Sequence, residues 1–125
     1  MLKRFMWLKA AGVLHPSKHN YMNDVKIVQD SFYNAQGKIT KNTNLDREDD
    51  YIPCQDGDTF SFDVVPNNTG YRVRVIEYDA DKAFLRMLKE ETVSSATTVT
   101  WTTSADASFF RFSWPKSSSI ALYKE

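Results

Sequence analysis

Four carboxylates between positions 46 and 50 are the residues of this sequence that most resemble the catalytic residues of an enzyme. Asp46, Glu48, Asp49 and Asp50 are of the kind that hydrolyses a glycosidic bond, where one carboxyl acts as acid and a second as base or nucleophile. That chemistry also needs a carboxyl whose pKa is raised by burial, and segment 38–50 is mostly polar and charged. We therefore expect a solvated loop here, and a protein that is not an enzyme.

Cys54 is the only cysteine of the chain. A single thiol excludes an intrachain disulfide and cannot build a zinc site unaided. A catalytic thiol would need a histidine, and both histidines, His15 and His19, stand in the N-terminal segment. Because free cysteine is among the most frequently buried residue types, we predict that Cys54 is a small core residue.

Two predicted turns carry alternating aspartates, in Asp56-Gly-Asp58 and Asp79-Ala-Asp81. Calcium binds six to eight oxygens, and these carboxylates could contribute some of them. Aspartate is also common in turns because its side chain accepts hydrogen bonds from the nearby backbone. We favour turns at both places and expect neither a metal ion nor a cofactor.

Sugar binding is the chemistry that the strand residues suggest. Sugars pack their apolar faces on aromatic rings and form bidentate hydrogen bonds with planar polar side chains. Strict alternation in segments 71–78 and 108–114 directs one row of arginine and aromatic side chains away from the core. If the two strands share a sheet, this solvent face holds Arg72, Arg74, Tyr78, Phe109 and Arg111. It is either a glycan or partner surface, or an ordinary outer face covered by arginine stems.

The elements that must position these residues are short β-strands. Residues 59–65 alternate strictly, residues 97–103 are rich in β-branched side chains, and turn residues separate the segments. The predicted core side of segment 108–114 is formed by Phe110, Phe112 and Trp114, and Trp101 is predicted to be buried with them. About eight antiparallel strands in residues 25–125 predict an all-β sandwich, jelly-roll-like in architecture. The strands at its start are predicted at Lys26–Val28 and Ser31–Tyr33.

Composition restricts the function further. The chain has 125 residues, 42% of them hydrophobic and 14% aromatic, which fits one folded domain. Lysine and arginine number 16, and aspartate and glutamate also number 16. The charges balance, and the basic residues form no stripe of the kind that nucleic-acid-binding proteins show. We therefore expect no nucleic-acid partner. The sequence also lacks the ~20 consecutive apolar residues of a membrane span.

Residues 1–24 differ from the rest and are predicted to be a lead segment outside the sandwich. They either pack on the sandwich edge as a short helix or strand, or dock onto a partner. In the second case Phe5, Met6 and Trp7 form an exposed apolar patch, which is typical of a protein interface. Lys9 and Gly12 interrupt the apolar run, so we expect no signal peptide.

Residues 51–114, about half of the chain, resemble a module of bacteriophage tail, baseplate and fibre proteins that is similar to carbohydrate-binding jelly rolls. The resemblance lies in Tyr51-Ile-Pro53, Gly57-Asp-Thr59, Tyr71-Arg-Val73, Tyr78-Asp79 through Lys82-Ala-Phe84, Thr98 to Thr103, and Ala105-Asp-Ala107 leading into Phe110-Arg-Phe112. It implies a virion-associated or cell-surface module that recognises glycans, although a fold alone does not fix a function.

These observations favour a non-catalytic virion protein, which decorates a tail, baseplate, fibre or capsid. Such a protein would be made in the host cytoplasm and would contact other virion subunits or a cell-surface glycan. We expect it to self-associate, because display proteins gain affinity from several weak sites acting together. The alternatives are a lectin-like or enzyme-accessory module of a bacterial surface and, third, a small polysaccharide-active enzyme.

Overall fold

Nine segments of residues 18–125, the part of the chain that this computed structural model describes, form β-strands. Most of them alternate apolar with polar residues or are rich in β-branched residues, as half-buried strands require. In chain order the strands are β1 (Ile27–Tyr33), β2 (Ile39–Glu48), β3 (Ile52–Pro53), β4 (Thr59–Val65), β5 (Tyr71–Tyr78), β6 (Phe84–Val93), β7 (Thr97–Thr102), β8 (Phe109–Pro115) and β9 (Ser119–Lys124).

The strands form two sheets, and every ladder in them is antiparallel. The larger sheet has the order β1-β2-β8-β5-β6, and β3 also pairs with β8. The smaller sheet has the order β7-β4-β9. Residues of both sheets contribute to one buried core, which confirms the predicted β-sandwich. Its jelly-roll connectivity stays a prediction.

Aromatic rings from both sheets fill this core. The ring centroids of Phe60 and Phe110 are 4.7 Å apart, and those of Phe62 and Phe112 are 4.9 Å apart, both edge to face. Each such pair stabilises the folded state by about 0.5–1.5 kcal/mol beyond what the burial of its apolar area contributes. The predicted burial is confirmed for Trp101, Phe110, Phe112 and Trp114.

Cys54 lies in the same core, with 9% of its surface exposed, as predicted. Its backbone N–H donates to the carbonyl oxygen of Ser108 at 3.0 Å, which fixes the chain just after β3. Burial raises the pKa of the Cys54 thiol to about 11. Since the thiolate is the reactive form, the folded protein holds this thiol in an unreactive state at neutral pH.

The β1–β2 hairpin folds over the outer face of the larger sheet. At its turn, the carbonyl oxygen of Gly37 accepts a hydrogen bond from the Tyr78 hydroxyl at 3.1 Å. At the end of β1, the Tyr33 N–H donates to Ser113 Oγ at 3.4 Å. This packing forms a second, smaller cluster, in which Tyr33, Ile76 and Tyr78 are buried against Tyr51, Met87 and Phe109.

Segment 38–50 contains β2, so the prediction of an exposed loop there is wrong. Its first half pairs with β1 and alternates between exposed and half-buried residues. Its second half is buried because it also pairs with β8, through Leu45 opposite Pro115 and Arg47 opposite Ser113. The buried residues Asp46, Arg47 and Glu48 are charged, and a hydrophobic pattern cannot mark a charged residue as buried.

The two short strands predicted at Lys26–Val28 and Ser31–Tyr33 form one strand, β1. The ladder with β2 shifts register between Gln29 and Ser31, around Asp30, whose φ is +62°. Between the pairs Gln29–Asp46 and Ser31–Lys41, β1 has one residue and β2 has four, so the extra residues lie in β2, and such an irregularity bends the strand. The bend accompanies the fold of the hairpin over the larger sheet.

The described end of the lead segment, residues 18–24, packs on the sandwich. It contains one turn of 3-10 helix, Tyr21–Asn23, and Met22 is buried in the main core. The Asn20 carboxamide oxygen accepts hydrogen bonds from the N–H groups of Met22 and Leu122, both at 3.0 Å. The candidate interface residues Phe5, Met6 and Trp7 lie outside the described residues. In residues 18–125 no helix has the length and apolar character to cross a bilayer.

Candidate functional site

The predicted ligand-binding residues lie on one face of the larger sheet. β5 and β8 are neighbours, and their register places Arg74 opposite Ser113, Ile76 opposite Arg111 and Tyr78 opposite Phe109. Alternation along β5 adds one more side chain to this face. The face therefore contains Arg72, Arg74, Tyr78, Phe109 and Arg111.

Only part of this face meets solvent. Tyr78 is 3% exposed and Arg111 8% exposed, because the β1–β2 hairpin and Tyr51 cover them. The prediction of a common solvent face is therefore wrong for these two residues. Arg72 is exposed, and Arg74 and Phe109 are half-buried. Alternation identified the correct face, but it could not show that a distant hairpin packs on it.

Arg111 lies in a cage of tyrosine rings. Its guanidinium carbon is 4.2 Å from the ring centroid of Tyr51, 4.6 Å from that of Tyr33 and 5.8 Å from that of Tyr78. Guanidinium is weakly hydrated and stacks well on aromatic faces, so it is the cation best suited to such an environment. One guanidinium nitrogen also lies 3.6 Å from the Asp49 carboxylate. Arg111 therefore holds Tyr51 in place rather than facing a ligand directly.

Arg47 connects this cage to β1. Its Nε donates to Ser31 Oγ at 2.9 Å, and its Nη1 donates to the Asp49 carboxylate and to the Tyr33 hydroxyl. The Tyr33 hydroxyl in turn donates to the carbonyl oxygen of Glu48 at 2.7 Å. The hydrogen bond from Arg47 holds the pKa of Asp49 below its usual range. Asp49 is therefore a fixed negative charge at neutral pH.

Glu48 fills a break in the sheet between β2 and β3. β8 pairs with β2 as far as Ser113 and with β3 from Phe110 onward, so no strand pairs with the residues between them on that edge. The Glu48 carboxyl accepts hydrogen bonds from the N–H groups of Phe112 at 3.0 Å and Asp50 at 2.7 Å. This side chain thus replaces a backbone carbonyl and satisfies two donors that need a partner when buried.

The acidic cluster is therefore not a solvated loop. Asp46 is 5% exposed and Glu48 is 0% exposed, and burial raises the pKa of the Glu48 carboxyl to about 8. Both Glu48 oxygens meet backbone N–H groups, so its raised pKa accompanies a structural role. Sequence patterns missed it because nothing in residues 38–50 marks which carboxyl fills the break.

An open groove of about 560 Å³ adjoins the cage. We call it the Tyr51 groove. Its walls are Tyr21, Asp24, Val25, Asp49, Asp50, Tyr51, Ile52, Pro53, Lys82 and Phe109. The rings of Tyr51 and Phe109 pack edge to face with their centroids 5.8 Å apart. Aromatic surface, carboxylates and one ammonium therefore converge at one open depression, which is the usual composition of a small-ligand site.

Lys82 covers the aromatic part of this groove. Its ammonium nitrogen is 5.0 Å from the ring centroid of Tyr51 and 5.7 Å from that of Phe109. Lys82 is exposed and has a φ of +65°, in the left-handed region that favours glycine. The turn between β5 and β6 sets this conformation, since the Lys82 N–H donates to the carbonyl oxygen of Asp79 at 2.9 Å.

Arg72 and Arg74 lie at a different depression. Its volume is about 280 Å³, and Phe32, Tyr71 and Ser113 are among its other walls. Glu90 neutralises both arginines, with its carboxylate 2.6 Å from Arg74 and 3.7 Å from Arg72. Three of the five predicted residues line a depression, namely Phe109 in the Tyr51 groove and Arg72 and Arg74 here, while Tyr78 and Arg111 are buried. The hairpin crosses the face at Ile76 between the two depressions.

The turn aspartates cap their own turns. The Asp79 carboxylate accepts hydrogen bonds from the N–H groups of Asp81 and Ala83, both at 2.9 Å. The Asp58 carboxylate accepts one from Gln55 N–H at 2.8 Å and lies 3.4 Å from the ammonium of Lys124. No set of three His, Cys, Asp or Glu side chains within residues 18–125 is arranged to hold a metal ion.

Sequence reasoning identified Phe109 of the groove and missed Tyr51 and Lys82 as site residues. Both stand in segments that carry the resemblance described above, Tyr51-Ile-Pro53 and Lys82-Ala-Phe84, and Arg111 stands in a third. The three segments meet at the groove. The sequence carries no signal of this convergence, because it arises from tertiary packing.

No protein-family model matches the chain, and no curated protein matches it.

Proposed function

We propose that this chain is a non-catalytic virion structural or accessory protein, whose β-sandwich binds a cell-surface glycan through the Tyr51 groove. It would belong to a tail, baseplate, fibre or capsid decoration and would act by adhesion or assembly. The observation that carries the proposal is the groove itself, where Tyr51 and Phe109 present aromatic surface beside the carboxylates of Asp24 and Asp50. The virion setting depends on the sequence resemblance of residues 51–114.

The groove has the chemistry that sugars require. Aromatic rings pack against the apolar faces of pyranose rings, and carboxylates accept hydrogen bonds from vicinal hydroxyls. Asp24 and Asp50 are exposed residues in the wall of the groove. Arg111 supports the Tyr51 ring from within the cage. A rigid, preformed site loses less conformational entropy when a ligand binds.

Binding without catalysis is supported by the state of the acidic residues. Glu48 is the carboxyl with the raised pKa, and it is fully buried with both oxygens on backbone N–H groups. Asp49 is engaged by Arg47. Incubation with polysaccharides should therefore release no reducing ends. Hydrolysis that is lost in Asp49→Asn or Asp50→Asn would instead support the enzyme alternative.

A glycan array probed with the full chain tests the proposal. Phe109→Ala should reduce binding by about tenfold, because it removes one groove contact worth about 1–2 kcal/mol. Tyr71→Ala is the matched control, since Tyr71 is a half-buried aromatic residue at the other depression. Binding that Tyr71→Ala abolishes and Phe109→Ala leaves intact would move the site to Arg72 and Arg74.

The same array separates the virion protein from the alternative, a lectin-like or enzyme-accessory module of a bacterial surface. A multivalent virion protein needs only weak individual sites, so the monomer should bind immobilised glycan weakly and gain strongly when it is clustered on beads. Tight binding by the monomer, with little gain on clustering, favours the lectin-like module.

Self-association through the lead segment is the second part of the proposal. If the lead segment docks onto a second copy through its apolar residues, Phe5→Ser combined with Trp7→Ser should shift the full chain toward monomer in sedimentation velocity. Ile39→Ser is the control, since Ile39 is an exposed apolar side chain of β2. An unchanged sedimentation profile for the double variant rejects these residues as the interface.

A further inference from the structure

Lys82 places a cation of the protein itself on the aromatic surface of the Tyr51 groove. The ammonium lies 5.0 Å from the Tyr51 ring centroid and 5.7 Å from that of Phe109. Both distances are within the range in which a cation is attracted to an aromatic face. The two rings that a sugar would need are therefore already occupied by an alkylammonium.

The backbone at Lys82 indicates that its side chain has a role beyond the turn. A hairpin-turn residue whose backbone lies in the left-handed region is usually glycine or asparagine. Lys82 has a φ of +65° there, which costs energy for a residue with a Cβ. Glycine would fit this turn better, so the turn does not require a lysine.

The remaining walls of the groove favour a positively charged ligand. Asp24, Asp49 and Asp50 line it together with Lys82, and Asp24 and Asp50 are exposed. Arg47 and Arg111 engage Asp49 from within the protein. The exposed carboxylates that remain to meet a ligand are Asp24, which also lies 2.5 Å from His19 Nε2, and Asp50, which accepts a hydrogen bond from the Lys26 N–H at 3.0 Å. A sugar carboxylate would meet these two negative charges, whereas an amine would be attracted to them.

We propose that the Tyr51 groove binds an amino sugar with a free ammonium group, and that Lys82 is an internal competitor which this ammonium displaces. The ammonium of the ligand takes the place of Lys82 Nζ at the rings, where the negative charges of Asp24 and Asp50 attract it. This inference depends on the proposed glycan binding and specifies its ligand class.

The test compares two oligosaccharides by titration calorimetry with the full chain. They are the β-1,4-linked trimer of glucosamine and the same trimer with every amine acetylated, at about pH 6, where such amines are protonated. The amine form should bind at least tenfold more tightly than the acetylated form. Equal or tighter binding of the acetylated trimer, or of a uronic-acid trimer, overturns the inference.

Lys82→Gly tests the competition. It removes the competing ammonium, so it should tighten binding of the glucosamine trimer about threefold to tenfold. The fold should stay intact, because glycine adopts a positive φ without the cost that a Cβ imposes. Lys41→Ala is the control, because it removes the charge of an exposed lysine on β2, away from the groove. Weaker binding in Lys82→Gly would identify Lys82 as a ligand contact and overturn the competition.

Asp50→Asn connects this inference to the proposed function. It should weaken binding of the glucosamine trimer about tenfold and change binding of the acetylated trimer less than threefold, because the charge acts on the ammonium. If neutral glycans bind in the groove and depend on Phe109, but the protein does not prefer the glucosamine trimer to the acetylated trimer, glycan binding stands and the amino-sugar inference fails. If no glycan binds at all, both fail.

Discussion

Arg111 shows how a charged side chain can serve the interior of this protein. Three tyrosine rings surround its guanidinium, and Asp49 supplies the opposite charge. A sequence pattern that alternates arginine with core residues does not distinguish this arrangement from a solvated arginine row. Arg72, on the neighbouring strand β5 and on the same face, is solvated. The same residue type on one face therefore has two different roles.

Arg111→Ala should lower the free energy of unfolding by about 3 kcal/mol, because it leaves a cavity among the tyrosines and removes desolvated cation–π contacts. Arg72→Ala is the control and should cost less than about 0.5 kcal/mol, as is usual for an exposed side chain. Urea denaturation followed by tryptophan fluorescence measures both. Similar small losses for the two variants would contradict a structural role for Arg111.

Glu48 makes the stability of the fold depend on pH. Burial raises the pKa of its carboxyl in the folded state from 4.5 to about 8, so unfolding releases a proton between these two values. The free energy of unfolding contributed by this group should therefore fall as pH rises from about 4.5 to about 8, by a few kcal/mol at most, and level off above.

Glu48→Gln removes the titration and should flatten this part of the pH profile. The variant also exchanges one acceptor for an amide donor, so it should be less stable by about 1–3 kcal/mol at low pH. Glu91→Gln, at a partly exposed carboxyl of β6, should keep the profile of the unchanged protein. Chemical denaturation at several pH values measures all three, and an unchanged slope in Glu48→Gln would contradict the assignment.

Among the elements, the β1–β2 hairpin explains most of what the sequence could not predict. β4, β5 and β8 alternate cleanly around Phe62, Val75 and Phe112, and hydrophobic periodicity located them. β2 carries three buried charged residues: Arg47 donates to Ser31, and Asp46 and Glu48 accept hydrogen bonds from backbone N–H groups. Period-two patterns report which side of a strand is apolar, and they contain no information on a hairpin that folds back over another face.

Gly37 sits where this hairpin meets the sheet. A Cβ there would lie 2.7 Å from Phe84 Cδ1 and 3.1 Å from the Tyr78 hydroxyl, and its φ is +75°. Gly37→Ala should therefore cost about 2–4 kcal/mol, from backbone strain plus overpacking. Gly57→Ala separates the two effects. Gly57 has a φ of +79° and no atom within 4 Å of an added Cβ, so it should cost about 1 kcal/mol. Equal losses by thermal denaturation would show that the hairpin does not pack closely on β5 and β6.

For the whole molecule, the larger sheet is the middle of the structure. One side of β5 packs Val73 and Val75 into the sandwich core, and its other side packs Ile76 and Tyr78 under the hairpin. The two-sheet architecture was predictable from the regular spacing of strands. The site was predictable only in part, because Tyr51, Lys82 and Phe109 meet through tertiary packing.

Cys54 reports on the integrity of the whole core, because it is the only thiol. Burial raises its pKa to about 11, so a thiol reagent such as Ellman's should react only after the core opens. The reaction rate should rise with urea in parallel with global unfolding. Ser94→Cys adds an exposed thiol and should react at once, whereas equally rapid reaction of the unchanged protein would place Cys54 outside the core.

The small cluster beneath the hairpin gives the molecule two levels of cooperativity. Detaching the hairpin exposes Tyr33, Ile76 and Tyr78, whereas opening the sandwich exposes the full aromatic core, so the first event costs less free energy. Backbone amides of β1 should thus exchange with deuterium by local opening, and those of β4 by global opening. In the locally open form the guanidinium of Arg111 meets water, and the arginine-rich face inferred from alternation alone exists there as a transient surface.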